Sequence, residues 1–147
     1  MGKKMRMTET LIFGSAEPNG QYTERRAAYV VIITNGDKVA TVEFRQRHFL
    51  PGGGSGPGEA PEDTVVREVR EELARSVQLF CRIGEATQYF YSAADDQHYK
   101  LLATFFTGEF TDEACDGTGE HELHWLPIAE AEHACFHACH AWAIRQA

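Results

Sequence analysis

Residues 53–75 read GGSGPGEAPEDTVVREVREELAR, and this stretch decides the fold of the chain. Its first part, together with Gly52, is a glycine-rich loop that ends at Gly58. Glycine lets a backbone adopt positive φ and approach a ligand closely. The second part has helical character from Pro61 to Leu73, and proline suits a first helical turn because an N–H there has no intrahelical partner. The stretch therefore predicts a flexible loop followed directly by a helix.

The predicted helix has two chemically different faces. One face is apolar and can pack on a core, through Val65, Val66, Val69 and Leu73. The other gathers carboxylates at positions i, i+3 and i+4, namely Glu68, Glu71 and Glu72. Carboxylates this close repel one another unless a cation lies among them, and their hard oxygen atoms suit Mg²⁺ or Mn²⁺. The alternative is a solvated acidic face, which is the commoner meaning of such a pattern without further context.

A longer spacing supplies that context. Gly53 is followed after five residues by Glu59, and after seven more by the run Arg67-Glu68-Val69-Arg70-Glu71-Glu72. This arrangement resembles the Nudix box of the Nudix (MutT-like) hydrolases, G-x5-E-x7-R-E-U-x-E-E-x-G-U, where U is an aliphatic residue. Two positions differ from the box, because Ala74 replaces its second glycine and Arg75 replaces its last aliphatic residue.

Two alanines lie where the family commonly has helix-capping residues, one at each end of the predicted helix. Glycine normally takes the left-handed position after a helix, so Ala74 predicts an unusual C-cap. Ala60 stands where many family members have a threonine N-cap, and losing such a cap costs a helix about 1 kcal/mol. Neither position provides a metal ligand.

The rest of the chain alternates strand and turn patterns around this helix. Strands are predicted at residues 9–15, 27–34, 38–44, 77–91, 99–110 and 123–126, with a hairpin at Asn35-Gly36-Asp37 and a break near Gly84. Pro127 begins a helical region that extends to the end. This order predicts an α/β protein, and the resemblance implies a Nudix-type α/β/α sandwich with a mixed β-sheet. We expect one domain over residues 1–147, with a flexible tail at residues 1–8.

Composition limits the partners of the protein. The formal net charge of −8 argues against a protein that binds the backbone of a nucleic acid polymer. The sequence has no apolar run near 18 residues and no secretion signal, so we expect no membrane span and a cytoplasmic location. Many members of the resembled family are dimers, so a homodimer is compatible with the resemblance.

The resemblance also implies roles for individual residues. The metal ligands would be Glu68, Glu71 and Glu72, with Glu59 or the Gly53 carbonyl completing the set. Arg67 would orient the carboxylates through charge-assisted hydrogen bonds. The family needs a further carboxylate from outside the box, and Glu120 is preferred because a loop with Gly117 and Gly119 can deliver it to a metal-bound water. Alternatives for this general base are a box glutamate or one of the nearby acidic residues, Glu109, Asp112, Glu113, Asp116 and Glu122.

Substrate contacts are predicted on both sides of the box. Gly53 and Gly54 allow close approach of the backbone to a substrate. Arg45 and Arg47 precede the loop and would contact phosphate, or else only solvent. Tyr91 lies where some Nudix enzymes that cleave diadenosine polyphosphates carry a tyrosine.

Taken together, the residues and the resemblance imply a pyrophosphohydrolase that depends on Mg²⁺ or Mn²⁺. Its substrate would be a nucleoside diphosphate linked to another group, and a nucleoside triphosphate or an oxidised form of one is preferred by analogy with short family members. A dinucleoside polyphosphate or a nucleotide sugar is the first alternative. The second alternative is a nucleotide-binding module that has lost catalysis.

Overall fold

The computed structural model describes residues 11–16, 20–34, 36–111 and 119–147. The tail at residues 1–8, Asn35 of the predicted hairpin, and the base candidates Asp112, Glu113 and Asp116 lie outside these ranges. The elements in chain order are β1 (Leu11–Phe13), β2 (Thr23–Val31), β3 (Lys38–Phe44), β4 (Arg47–Phe49), β5 (Gly52–Gly54), α1 (Pro61–Leu73), β6 (Val77–Ser92), β7 (Gln97–Phe110), β8 (Glu122–Pro127), α2 (Ile128–Ala134) and α3 (Ala138–Gln146).

The larger sheet has five strands in the order β1-β6-β7-β2-β5. It is mixed, because β2 runs parallel to β7 and antiparallel to β5. Successive side chains of a strand point to opposite faces. Ala28 and Val30 therefore pack with Val65 and Val69 of α1, whereas Tyr29 and its neighbours face the core that includes α3. The α/β/α sandwich with a mixed sheet is confirmed.

A second sheet, which the sequence did not predict, has the order β4-β3-β8. We expected β3 to return along β2, and this is wrong beyond a single bridge between Ile33 and Val39. The reason is that both edges of β2 are already paired, one with β7 and the other with β5. Strand β3 therefore diverges and pairs with β8, from Lys38 opposite Pro127 to Glu43 opposite Glu122.

Helix α1 has the predicted bounds, with Ala60 at its N-cap position and Ala74 at its C-cap position. Ala60 makes no side-chain capping bond at the N-terminus. Ala74 adopts the left-handed conformation, with φ 53° and ψ 39°, and its N–H donates to the Arg70 carbonyl. A residue with a Cβ loses about 1–2 kcal/mol in this conformation. The chain thus keeps the C-cap geometry of the box without its glycine.

The predicted glycine loop is in part a strand, since Gly52–Gly54 forms β5 beside β2. Glycine is required there by close packing. A Cβ on Gly52, whose φ is 140°, would lie 2.2 Å from the Ala28 carbonyl oxygen. The edge strand therefore lies flush against β2, and only residues after Gly54 form the loop that leads to α1.

The C-terminal region forms two helices rather than one. Between them Cys135 forms a bridge with His48, and the Phe136 N–H donates to the His48 carbonyl at 2.9 Å. These bonds connect the segment to β4 and interrupt the helix. None of the helices in the described part of the chain has the length and the apolar run needed to cross a bilayer.

Candidate active site

Arg67 connects the loop, strand β5 and helix α1. Its Nε lies 2.8 Å from Glu59 Oε2, and its Nη1 lies 3.0 Å from Glu68 Oε2 and 3.2 Å from Glu71 Oε1. Its Nη2 donates to the Gly54 carbonyl at 2.8 Å. The planar guanidinium presents several donors in a fixed arrangement, which suits simultaneous contact with carboxylates. Arg67 thus holds three of the predicted metal ligands, Glu59, Glu68 and Glu71, in one arrangement.

Glu72 is the most buried of the predicted ligands. The Gly52 N–H donates to its Oε1 at 3.2 Å. Burial raises the pKa of Glu72 to about 8, and the nearby charges of Glu68, Glu120 and Glu71 act in the same direction. At neutral pH the buried carboxyl group is therefore protonated unless a cation replaces the proton. A divalent cation with oxygen ligands fits this donor set.

Glu68 completes the cluster and lies directly against β5. Burial raises the pKa of its carboxyl group, against the opposing effect of Arg67. A Cβ placed on Gly53 would lie 2.7 Å from both Cδ and Oε1 of Glu68. The Glu68 carboxylate therefore occupies the space that a side chain at residue 53 would fill.

Glu59 has a different environment from the other glutamates. Its pKa is lowered to about 2, chiefly by the hydrogen bonds from Arg67 and then by the N–H of Gly56. Thr64 also donates its hydroxyl to Glu59 Oε1 at 3.0 Å. Since both carboxylate oxygens already accept hydrogen bonds, this geometry favours Glu59 as the residue that fixes Arg67. Its place among the metal ligands stays a prediction.

Glu120 belongs to the segment before β8 and lies next to the C-terminal end of α1. Its N–H donates to the Glu71 carbonyl at 3.3 Å, and the next N–H, of His121, donates to the Glu72 carbonyl at 2.9 Å. The last carbonyl groups of a helix need such partners. Backbone bonds thus bring the predicted base next to the carboxylate cluster, and the charge of Glu120 contributes to the raised pKa of Glu72.

Two cavities lie near the box, and only the first is lined by one of its glutamates. The carboxylate cavity, of about 190 Å³, is lined by Tyr29, Val42, Phe44, Phe49, Gly52, Gly53, Glu72 and His121. The aromatic cavity, of about 260 Å³, is lined by Arg25, Arg26, Ala27, Tyr29, Gly54, Phe90, Ser92, Asp95, Tyr99, Leu101 and His137. Among these lining residues the sequence predicts site roles only for Gly53, Gly54 and Glu72, because most of the others come from distant strands and helices.

The aromatic cavity has a distinct chemistry. The rings of Phe90 and Tyr99 stack with centroids 5.4 Å apart, and the Arg25 guanidinium carbon lies 4.7 Å from the Tyr99 ring centroid. Burial lowers the pKa of His137 to about 4, so its imidazole is neutral at pH 7. A neutral imidazole has one hydrogen-bond donor and one acceptor. The cavity can therefore stack on a planar ring and hydrogen bond to its edge.

The other predicted substrate contacts lie further out. Arg45 is in the turn after β3 with φ 54°, and its guanidinium carbon lies 5.1 Å from the Phe44 ring centroid. Arg47 stacks over Phe136 at 4.2 Å. Tyr91 is 46% exposed, and its hydroxyl donates to Asp96 at 2.6 Å. Tyr91 lines neither cavity, whereas Gly53 and Gly54 each line one of them.

A second group of possible ligands lies away from the box. Glu43, Glu122 and His124 place one ligand atom each within 4.8 Å of one another, and His124 Nε2 is 2.9 Å from Glu43 Oε1. Glu43 alternates along β3 with Val42 and Phe44, which line the carboxylate cavity, so it points to the other face of the second sheet. This group is therefore separate from the carboxylates on α1.

Known proteins resemble this chain in sequence. Residues 23–146 match the family model of the NUDIX domain. The putative 8-oxo-dGTP diphosphatase of Bacillus subtilis (strain 168) is 29% identical over 109 residues, which make up 71% of this chain and 66% of that protein. The NAD-capped RNA hydrolase NudC of Pseudomonas putida (strain GB-1) is 36% identical over 69 residues, which make up 43% of this chain and 24% of that protein. The chain thus spans only part of the length of both relatives.

The fold has counterparts among solved structures. The crystal structure of a MutT NUDIX hydrolase from Burkholderia pseudomallei matches with a TM-score of 0.65 at 21% identity, over 84% of this chain and 98% of that one. At this level of identity the match concerns the fold alone. Since the family model covers residues 23–146, including the whole box and both helices that follow β8, the chain belongs to the Nudix hydrolase family.

Proposed function

We propose that this protein is a divalent-metal-dependent pyrophosphohydrolase, with a nucleoside triphosphate or its oxidised form as the preferred substrate. The observation that carries the proposal is the group of three helix carboxylates, of which Glu68 and Glu71 bind Arg67 and Glu72 lines the carboxylate cavity. Nudix hydrolases use divalent metals, and one relative is named a putative 8-oxo-dGTP diphosphatase. Mg²⁺ and Mn²⁺ both suit carboxylate ligands.

The chain's own residues have distinct parts in the reaction. Glu68, Glu71 and Glu72 would hold the ion, and the Gly53 carbonyl is a further candidate ligand. When bound, the ion would neutralise the diphosphate and activate a water molecule for attack on phosphorus. Arg67 keeps Glu68 and Glu71 in place through its hydrogen bonds, and the Gly52 N–H donates to Glu72. A carboxylate oxygen of Glu120 would accept the proton of the attacking water.

The aromatic cavity supports a nucleotide as the substrate. Aromatic side chains stack on nucleobases of any sequence. The stacked Phe90 and Tyr99 with the neutral His137 provide such a surface and a polar contact for the base edge. The volume of about 260 Å³ lies just below the range of about 300–1,000 Å³ typical of small-molecule sites, which favours one ring system over two. Arg25 and Arg26 at the same lining add positive charge.

Product release from a panel of nucleotides tests the proposal. Ordinary and oxidised triphosphates, ADP-ribose, diadenosine polyphosphates and nucleotide sugars would each be incubated with Mg²⁺, with Mn²⁺, or with EDTA. We expect metal-dependent release of pyrophosphate from a triphosphate and little from the other classes. Glu71→Gln should remove nearly all turnover without unfolding the protein, because this side chain is half exposed.

The alternatives predict different results in the same assay. Turnover of diadenosine polyphosphates or nucleotide sugars would show that the triphosphate is not the preferred substrate class. The residue that favours these alternatives is Tyr91, and its hydroxyl donates to Asp96 outside both cavities. Metal binding without turnover of any compound would indicate a nucleotide-binding module. The homodimer and the cytoplasmic location stay predictions, to be checked by light scattering and by fractionation of cells.

A further inference from the structure

Tyr29 lies at the junction of the two cavities. It is the residue that the carboxylate cavity and the aromatic cavity have in common. Its position follows from the register of β2, which places Tyr29 opposite Gly52 and Ala27 opposite Gly54. A ligand that extends from the carboxylate cluster into the aromatic cavity must therefore pass the side chain of Tyr29.

The ring of Tyr29 is held rigidly by its neighbours. It stacks on Phe105 with centroids 5.7 Å apart and lies 4.3 Å from the ring centroid of His140. On another side the backbone of β5 is in contact with the ring, since a Cβ on Gly52 would lie 2.9 Å from Tyr29 Cδ1. His140 is itself fixed, because its Nδ1 accepts the Leu50 N–H at 3.1 Å. The hydroxyl group at the end of such a ring has a defined position before any ligand binds.

The hydroxyl group of Tyr29 differs from those of the tyrosines nearby. Tyr99 donates to Asp95, and Tyr91 donates to Asp96. In the described ranges no hydrogen bond links the Tyr29 hydroxyl to another group, although the residue is only 8% exposed. Burial raises the pKa of this phenol well above its usual value, and the nearby Cys139, Glu72 and Glu68 act in the same direction. The group therefore remains a hydrogen-bond donor at all physiological pH values.

We propose that Tyr29 is a substrate-contacting residue whose hydroxyl donates a hydrogen bond to the segment joining the phosphates to the base, that is, the α-phosphate ester and the sugar. The proposal rests on the proposed function for the identity of the ligand. The Tyr29 oxygen is not one of the fully enclosed unpaired polar atoms of the described residues, so a ligand that enters the cavities can supply its acceptor in place of water. The two cavities assign the phosphates to the side of Glu72 and the base to the side of His137, with Tyr29 between them.

Tyr29→Phe tests this contact because it removes only the hydroxyl group. We expect kcat/KM for the preferred triphosphate to fall roughly 3- to 10-fold, as for the loss of one hydrogen bond. The affinity for a triphosphate with a methylene bridge between the α and β phosphorus atoms should fall by a similar factor in the presence of Mg²⁺. The affinity for inorganic tripolyphosphate should not change, because it lacks the ester and the sugar.

Tyr89→Phe is the matched control. The register of β6, β7 and β2 places Tyr89 on the opposite face of the sheet, where its ring contacts Tyr22. Its hydroxyl likewise makes no hydrogen bond to the described residues. We expect this variant to match the wild-type protein in both affinity and turnover. Thermal unfolding should show that neither substitution destabilises the fold.

Two results would overturn the proposal. One is an unchanged affinity of Tyr29→Phe for the methylene-bridged triphosphate, and the other is an equal loss for inorganic tripolyphosphate, which would assign the contact to the terminal phosphates. The binding experiment does not depend on turnover. If the wild-type protein binds the methylene-bridged compound but hydrolyses no triphosphate, the proposed function fails while the comparison still decides the role of Tyr29. Absence of binding by the wild-type protein would overturn both.

Discussion

Replacing Gly53 with alanine should lower kcat/KM while leaving the stability of the fold nearly unchanged. The new Cβ would lie 2.7 Å from Cδ and Oε1 of Glu68, whereas ordinary contacts begin at 3.4 Å, so the carboxylate must move by about 0.7 Å. The φ of Gly53 is not positive, and alanine fits its backbone. Because Glu68 ends a flexible side chain, the fold can absorb this shift. A misplacement near 1 Å in an active site can lower the rate about 100-fold, so we expect kcat/KM to fall about 10- to 100-fold.

The assay compares steady-state turnover with thermal unfolding for Gly53→Ala and for a control, Gly56→Ala. A Cβ on Gly56 would lie 3.7 Å from Glu59 Oε1, which is an ordinary contact, and its φ is not positive. We expect the control to keep its activity within about twofold and both variants to unfold within about 2–4 °C of the wild-type protein. Full activity in Gly53→Ala would refute the claim that Glu68 must lie against β5.

Four further outcomes follow from the same geometry. Ala74→Gly should stabilise the protein by about 1 kcal/mol and raise Tm by about 2–4 °C in calorimetry. The reason is that glycine adopts the left-handed φ of 53° without strain, and the greater entropy of its unfolded chain offsets only part of this gain. A lower Tm would contradict this. Arg67→Lys should lower kcat/KM by about 100-fold or more, because an ammonium group cannot replace the forked guanidinium, and activity close to wild type would argue against its orienting role. Since the folded pKa of Glu72 is about 8 against an ordinary 4.5, the metal-free protein should lose stability as pH rises from 4.5 towards 8. Binding of Mn²⁺ at pH 7 should then release about one proton, measurable by titration calorimetry in buffers of different ionisation enthalpy, and proton release near zero would contradict the raised pKa.

Local patterns in the sequence were sufficient for the box and its helix. The bounds Pro61–Leu73, the gathering of the glutamates on one face, and the long hairpin of β6 and β7 all follow from short-range spacing. The predicted break near Gly84 corresponds to register shifts between Leu79 and Gly84. These features depend on residues that are neighbours along the chain, which is why periodicity and turn residues predict them.

Features that depend on distant pairing were not predictable in the same way. Gly52–Gly54 forms a strand only because it pairs with one edge of β2. Since β5 occupies that edge, β3 diverges from β2 and pairs with β8. The junction role of Tyr29 depends on its register against Gly52, and the neutral His137 is brought to the aromatic cavity by the break between α2 and α3. A single sequence has no short-range signal for such contacts.

The central claim is that the carboxylates on α1 bind the divalent cation needed for hydrolysis. Equilibrium binding of Mn²⁺ to the wild-type protein and to Glu72→Gln tests it most directly. Glutamine keeps the shape of the buried side chain and can still accept the Gly52 N–H through its amide oxygen, so the variant should stay folded. Strong binding by the wild-type protein and a large loss in Glu72→Gln, together with a loss of turnover, is the predicted result. Equal Mn²⁺ affinity in the two folded proteins would contradict it.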